Sequence, residues 1–337
     1  MGRLGLQQWI CVDTPNWWTF TVYATPPQPN PAPLPTTSRY VSTLDPGTMN
    51  TEGQAEGQLG IYSLVILDFG QPQCSGQASP YGTFLFGSGG EVSNGQIITA
   101  VEQWLDGYSF GSNYGQRGNV TVVVGTNNDA GQIGCVTSGH GQAWAQVVSF
   151  LQQYANSRGY SSFEFVYGGS DVEPGFGSAS ATLSWVQGYD STGGYYYDYG
   201  SCDGCPQTLP SCNTLGCYPL GNGWFLDTII YITREDSHSL APVPEIYYDG
   251  SSLCPQPLGP PCSNSALQWQ IANLWEQTNR SSFGSIIFSG SLTQYGAGVY
   301  NHTQNTTYTP DEGWMALSNA LSPRQSLIYS TDITYAQ

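Results

Sequence analysis

Eight short apolar runs recur along this chain, and stretches with helical spacing separate most of them. The runs are Leu64–Asp68, Val120–Val124, Phe163–Tyr167, Tyr195–Tyr199, Thr228–Ile232, Glu245–Tyr248, Ser285–Phe288 and Leu327–Ser330. Several are apolar at nearly every position. That pattern suits strands covered on both faces, which are parallel strands with helices packed around them. Between them, Ile97, Ile98, Val101, Trp104 and Leu105 share one helical face, as do Trp144, Val147, Val148, Leu151 and Tyr154, and again Leu267, Ile271, Leu274 and Trp275. Ser178 reads as a helix N-cap, and Thr309-Pro310-Asp311-Glu312 as a capping box with Pro at the first helical position. The expectation is an α/β fold, a (β/α)8 TIM-type barrel, with an open doubly wound sheet as the alternative. The fourth crossover, which shows no long helix, is its weakest element. The chain then divides into 1–35, an N-terminal strand at Trp17–Tyr23 with a Pro-rich extension; 36–59, an irregular linker; and 60–337, the barrel.

In such a barrel the chemistry sits where strands end. The most informative end is Phe163–Phe176, an aromatic strand that stops at Asp171-Val172-Glu173 before Pro174-Gly175. Residues i and i+2 of a strand point the same way, about 7 Å apart at Cα. Two carboxylates held together push their pKa values apart, one ionised and one protonated. That is equipment for general acid catalysis on a glycosidic bond. A solvated turn or a calcium site is the competing reading of the pair. The other predicted strand ends offer Asp68, Asn127, Asp198, Tyr248, Gln294 and Asp332, with Tyr167 and Tyr199 beside them. Polar groups and aromatic rings gathered in this way suit a sugar, whose faces are apolar and whose rim carries hydroxyls. Gly107-Tyr108-Ser109-Phe110-Gly111 matches the G-x-S-x-G pattern but follows a helix, so it reads as a loop, and His140 reads as a turn or capping residue.

The charge balance narrows the partners. The chain has 7 basic and 24 acidic residues, net charge -17, and all the basic residues are Arg. Nucleic acid is therefore not an expected partner. The lack of Lys excludes Schiff-base, pyridoxal-phosphate and P-loop chemistry that needs that side chain. With His only at 140, 238 and 302, no histidine-rich metal site is expected, and no cofactor is called for. No apolar run approaches the ~18 residues of a membrane helix, so membrane insertion is not expected.

Nine cysteines point to disulfides and an extracellular or cell-surface location, although no signal peptide is visible in this numbering. Cys202, Cys205, Cys212 and Cys217 are expected to form two local bridges, most simply nested as 202 with 217 and 205 with 212, with zinc as the lesser alternative. Cys254 pairs with Cys262 and Cys74 with Cys135 in this reading, leaving Cys11. Sequons at Asn119, Asn279, Asn301 and Asn305 are about as many as chance supplies. The apolar segment Trp17–Tyr23 is expected to dock on a sheet edge or groove of its own chain or of a neighbour, giving self-association.

With the barrel pattern and Asp171-Val172-Glu173 in place, the chain resembles glycoside-hydrolase barrels with a D-x-E motif at a strand end, in particular the family 25 lysozymes. The resemblance covers residues 60–335. It implies Glu173 as general acid, Asp171 as the group that positions or stabilises, and Asp68 as the first-strand Asp. Asp171-Val172-Glu173-Pro174-Gly175-Phe176, Pro244-Glu245-Ile246-Tyr247 and Thr309-Pro310-Asp311-Glu312-Gly313-Trp314 also look like stretches of uncharacterised exported bacterial proteins. The function expected is that of an exported protein that cleaves or binds a cell-wall or other polysaccharide. The alternative is a non-catalytic carbohydrate-binding pseudoenzyme or a surface or filament subunit.

Overall fold

A computed structural model describes residues 31–74, 81–87, 89–128, 135–236, 238–250, 263–280, 284–297, 308–321 and 325–335, together with the backbone of 11–12 and 19–20. The chain divides into two compact units, Met1–Pro31 and Ala32–Gln337. In the first, Cys11–Val12 pairs antiparallel with Thr19–Phe20. The rest of the strand expected at Trp17–Tyr23 lies outside the described residues.

The second unit alternates strands and helices. In order it holds β1 (Thr36–Tyr40), α1 (Pro46–Gln58), β2 (Ser63–Asp68), α2 (Asn94–Gly111), β3 (Val120–Asn127), α3 (Ser138–Arg158), β4 (Glu164–Asp171), α4 (Ala179–Asp190), β5 (Tyr196–Asp198), α5 (Leu226–Ile230), α6 (Ser265–Asn279), β6 (Gly290–Thr293), α7 (Pro310–Ala320) and β7 (Tyr329–Tyr335). The strands form one seven-stranded sheet in the order β5-β4-β3-β2-β1-β7-β6. Every pair in it is parallel. All strand C-termini therefore face one side.

The segment 238–246 is hydrogen-bonded to both edges of that sheet. Toward β5, Leu240 N donates to Tyr196 O at 2.8 Å, Val243 N to Asp198 O at 3.1 Å and Glu245 N to Gly200 O at 3.1 Å. Toward β6, Leu292 N donates to Pro244 O at 2.9 Å and Ile246 N to Leu292 O at 2.8 Å. Pro242 and Pro244 have no N–H to give, so the segment accepts where a regular strand would also donate.

The apolar runs are continuous because each strand buries two faces. Val65 and Leu67 of β2 and Val122 and Val124 of β3 join the layer against the helices. The alternate residues Leu64, Ile66 and Val123 meet Tyr40, Tyr197, Val243, Leu292 and Ile333 in a second core on the concave side. The capping boxes at Ser93/Gln96 and Thr309/Glu312 are formed, and Ser178 caps α4.

Four expectations need correction. The stretch 36–59 is not irregular, since it supplies β1 and α1. Thr228–Ile232 is not a strand; α5 runs into a π-helix at Tyr231–Glu235. That run is β-branched, but Leu226, Ile229, Ile230 and Thr233 lie on one buried helical face. Strand pairing begins at Gly290 and Tyr329, after the expected starts at Ser285 and Leu327. Around Glu245–Tyr248 there is only an isolated bridge from Glu245 to Leu292.

Among the described residues two disulfides are local and one is long-range. Cys74 pairs with Cys135, Cys202 with Cys205 and Cys212 with Cys217. The last two replace the nested pairing. A turn closed by Cys205 N donating to Cys202 O at 2.9 Å brings those two Cα atoms to 5.4 Å, within disulfide reach. Cys254 and Cys262 lie outside the described residues.

Candidate active site

β4 ends at Asp171, whose Cα pairs with Asn127 at the end of β3. Gly169, two residues earlier, leaves room for a ring: a Cβ there would collide with Tyr199, which is 1% exposed. Beyond Asp171 the chain turns, with Phe176 N donating to Glu173 O at 3.1 Å. Asn128 Nδ2 donates to the same carbonyl at 3.1 Å, so the end of β3 holds the turn that carries Glu173.

Asp171 and Glu173 do meet, and a third carboxylate joins them. One oxygen from each of Asp171, Glu173 and Glu245 lies within 4.8 Å of the others. Asp171 and Glu245 are buried, while Glu173 keeps partial exposure. All three line a cavity of about 400 Å³ with Tyr40, Asn127, Asp203, Tyr248 and Gln294. Glu173 is hydrogen-bonded to Glu245 and Ser201. Tyr247 donates to Glu245 Oε1 at 2.6 Å. Gln294 Nε2 donates to the Tyr40 hydroxyl at 2.8 Å, and that hydroxyl lies 3.3 Å from the Tyr247 hydroxyl. Because Tyr247 spends its proton on Glu245, Tyr40 donates to Tyr247, and the network orients Glu245 from three sides of the mouth.

Crowding and burial raise every member of this trio. Burial pushes Glu173 up to about 7, against the opposing hydrogen bonds from Glu245 and Ser201. Burial and then the charge of Glu173 raise both Asp171 and Glu245 well above the carboxylate range. Asp171, expected as the ionised partner, is thus driven toward its protonated form. The trio titrates as a unit and holds fewer than three negative charges at neutral pH. Asn127 Nδ2 donates to Asp171 Oδ2 at 3.2 Å, while Asp171 Oδ1 has no hydrogen-bond partner.

Asn127, Tyr248 and Gln294 line the cavity, while four other candidates are not among its lining residues. Asp68 is fully buried beneath it, accepts from Gly70 N at 2.8 Å, and is raised to about 7 by burial. Asp198 braces β5 to the π-helix, accepting from Thr233 Oγ1 at 2.6 Å and Gly200 N at 3.0 Å. Asp332 lies within β7 and is saturated by Thr293 Oγ1 at 2.7 Å, Tyr295 N at 2.8 Å and Gly296 N at 2.7 Å. Tyr167 packs edge-on against Tyr197. Glu245 was missed because the strand was sought at Glu245–Tyr248, which would put Glu245 at the wrong end. Pro242-Val243-Pro244 just before it was the available signal for an irregular extended segment ending there.

His140 is a core residue. It is fully buried between Gly82 O and the Trp185 indole, each at 2.9 Å, and burial lowers it to about 4. A second cluster, Asp190, Asp236 and His238, lies at the N-terminal ends of the strands. Two carboxylate oxygens and a ring nitrogen are few ligands for a hard cation such as calcium, which takes about six to eight oxygens.

No protein-family model matches the sequence, and no curated protein matches it. Among solved structures the chain is similar to the crystal structure of the spore cortex-lytic enzyme SleL of Bacillus megaterium QM B1551, at 12% identity and a TM-score of 0.30. The match covers 81% of this chain and 52% of that one, so the chain spans about half the length of that protein. Among the described residues no helix is long and apolar enough to cross a membrane.

Proposed function

We propose that this chain is a glycoside hydrolase-like protein that acts on a polysaccharide or cell-wall glycan with Glu173 as general acid. The observation that carries this reading is Glu245 facing Glu173 inside an open cavity of about 400 Å³. A filled mouth would have suited a purely structural subunit. Glu173 is the member of the trio that reaches solvent and the one raised to about 7, where an acid can hold its proton and still release it. Its proton goes to the leaving glycosidic oxygen. As the bond breaks, positive charge develops on the sugar ring. A cation at that point relieves the repulsion among the three acids, so Asp171 and Glu245 ionise more readily as the transition state forms. The site is therefore better matched to the transition state than to the neutral substrate. Oxygens within 4.8 Å of one another are closer than the roughly 6.5–9.5 Å of an inverting pair, which supports retention of configuration.

The segment 238–246 supplies the missing member of an eight-stranded barrel in this reading, because it bonds to both β5 and β6. The bridges Cys74–Cys135, Cys202–Cys205 and Cys212–Cys217 support an extracellular location. The N-terminal unit remains our candidate for self-association. The test is release of reducing ends from peptidoglycan, chitin and common plant and bacterial polysaccharides. Cleavage by the native chain that is lost on Glu173→Gln supports the proposal. Binding without cleavage of any of them favours the carbohydrate-binding pseudoenzyme.

A further inference from the structure

The mouth has one sign of charge. Among the described residues, the connections that leave strand C-termini carry Asp45, Glu91, Glu173, Asp203 and Asp249 and no Lys or Arg. The arginines lie elsewhere. Among the described residues Arg117, Arg158, Arg234 and Arg280 fall at helix ends or in helix-to-strand connections, on the opposite side of a parallel sheet. Arg39 on β1 is engaged by Glu52 of α1 at 3.1 Å. The residues that line the cavity include Asp171, Glu173, Asp203 and Glu245 and no basic side chain. A cleft lined by one sign of charge focuses its field on whatever enters. Within the cavity Asp171, 4% exposed, leaves Oδ1 with no hydrogen-bond partner. That is an acceptor in want of a donor, beside two further carboxylates.

Building on the glycan reading above, we infer that this cavity selects sugar units by charge. It takes amino sugars with a free ammonium group ahead of their N-acetylated counterparts, and it excludes units bearing carboxylate, sulfate or phosphate. An ammonium group brings three N–H donors and a positive charge to a cavity whose described lining includes four carboxyl groups and no Arg or Lys. An anionic unit would enter with no arginine or lysine to receive it, against the field. N-acetylation removes the charge and leaves one N–H, so such a unit keeps its ring contacts with Tyr40 and Tyr248 and loses the electrostatic gain.

The test is calorimetric binding to the full chain carrying Glu173→Gln, with tetramers of glucosamine, N-acetylglucosamine and galacturonate at neutral pH and at two salt concentrations. The glucosamine tetramer is expected to bind about tenfold more tightly than the N-acetylated one. The gap narrows at high salt, and the galacturonate tetramer does not bind. Asp203→Asn, an exposed change at the rim, narrows the gap a few-fold. Equal affinity for the first two tetramers, or galacturonate binding as tight as glucosamine binding, overturns the inference. If charge selection is observed and the native chain cleaves nothing, the hydrolase reading fails and this one stands. If neutral oligomers are cleaved with no preference for the amine, this inference fails and the hydrolase reading stands.

Discussion

The two ends of the sheet each gather three titratable groups, and the two clusters are built in opposite ways. At the C-terminal end Asp171, Glu173 and Glu245 face one another in a cavity with no cation among its lining residues. At the N-terminal end Asp190 and Asp236 are hydrogen-bonded to each other, and His238 Nδ1 lies 3.4 Å from Asp190 Oδ1. Burial first, and then Asp236, raises Asp190 to about 8, so crowding alone is not what distinguishes a site. The lower cluster sets an imidazole beside its carboxyls and braces α4 to the start of 238–246. Asp236 Oδ1 accepts from His238 N at 3.0 Å, and Tyr195 packs on the His238 ring. The upper cluster has a cavity of about 400 Å³ in front of it.

The largest expected difference is in turnover. Glu173→Gln keeps the shape, removes the acid, and should lower glycan cleavage by roughly 10²–10⁴, whereas Asp236→Asn should leave it unchanged; side-by-side rates for the two variants measure this. Glu245→Gln should come next, lowering turnover by at least about tenfold. It should also move the titration of Glu173 upward, because the hydrogen bond from the Glu245 carboxyl, which opposes the effect of burial, is lost. A pH–rate profile whose alkaline limb, where the general acid loses its proton, stays fixed in that variant would separate Glu245 from the trio.

Stability should show the same contrast in smaller measure. A carboxyl whose folded pKa is raised binds more protons folded than unfolded. Its contribution is therefore most favourable at acid pH and is lost as pH rises from about 4.5 through about 7 for Glu173. Thermal midpoints should fall across that window and fall less steeply in Glu173→Gln. At the lower end the window reaches about 8, set by Asp190, and Asp236→Asn should flatten the slope there. The smallest expected effect comes from the loop 199–225 that flanks the mouth. Opening Cys202–Cys205 with Ser at both positions should cost about 2 kcal/mol by denaturant titration, since a four-residue loop restricts the unfolded chain little.

The two ends also differed in how far the sequence revealed them. β2, β3 and β4 were legible because their apolar runs are unbroken, and Asp171 and Glu173 followed from the end of β4. α1 was not legible. Its buried face is Met49, Gly53, Glu56 and Gly57, and it approaches α2 so closely that a Cβ at Gly53 would strike the Trp104 carbonyl. A helix held by glycine contact has no apolar period to read. Glu245 was hidden by Pro242 and Pro244, which break the strand pattern at the point where the segment bonds to both sheet edges. Asp68, Asp198 and Asp332 looked like site residues because they are acids near strand ends. Only the contacts distinguish them, since Thr233 and Gly200 satisfy Asp198, and Thr293, Tyr295 and Gly296 satisfy Asp332. Spacing along a chain reports direction, whereas a partner from another strand is a property of the fold.

The central claim is that the upper trio is an uncompensated acid cluster holding a transferable proton on Glu173. Carbon-13 NMR of the side-chain carboxyls of glutamate-labelled protein, titrated from acid to neutral pH beside Glu173→Gln, tests it most directly. The account predicts a carboxyl that titrates near 7 in the native chain and is missing from the variant. A Glu173 resonance that titrates in the ordinary glutamate range, about 4.3, would contradict it.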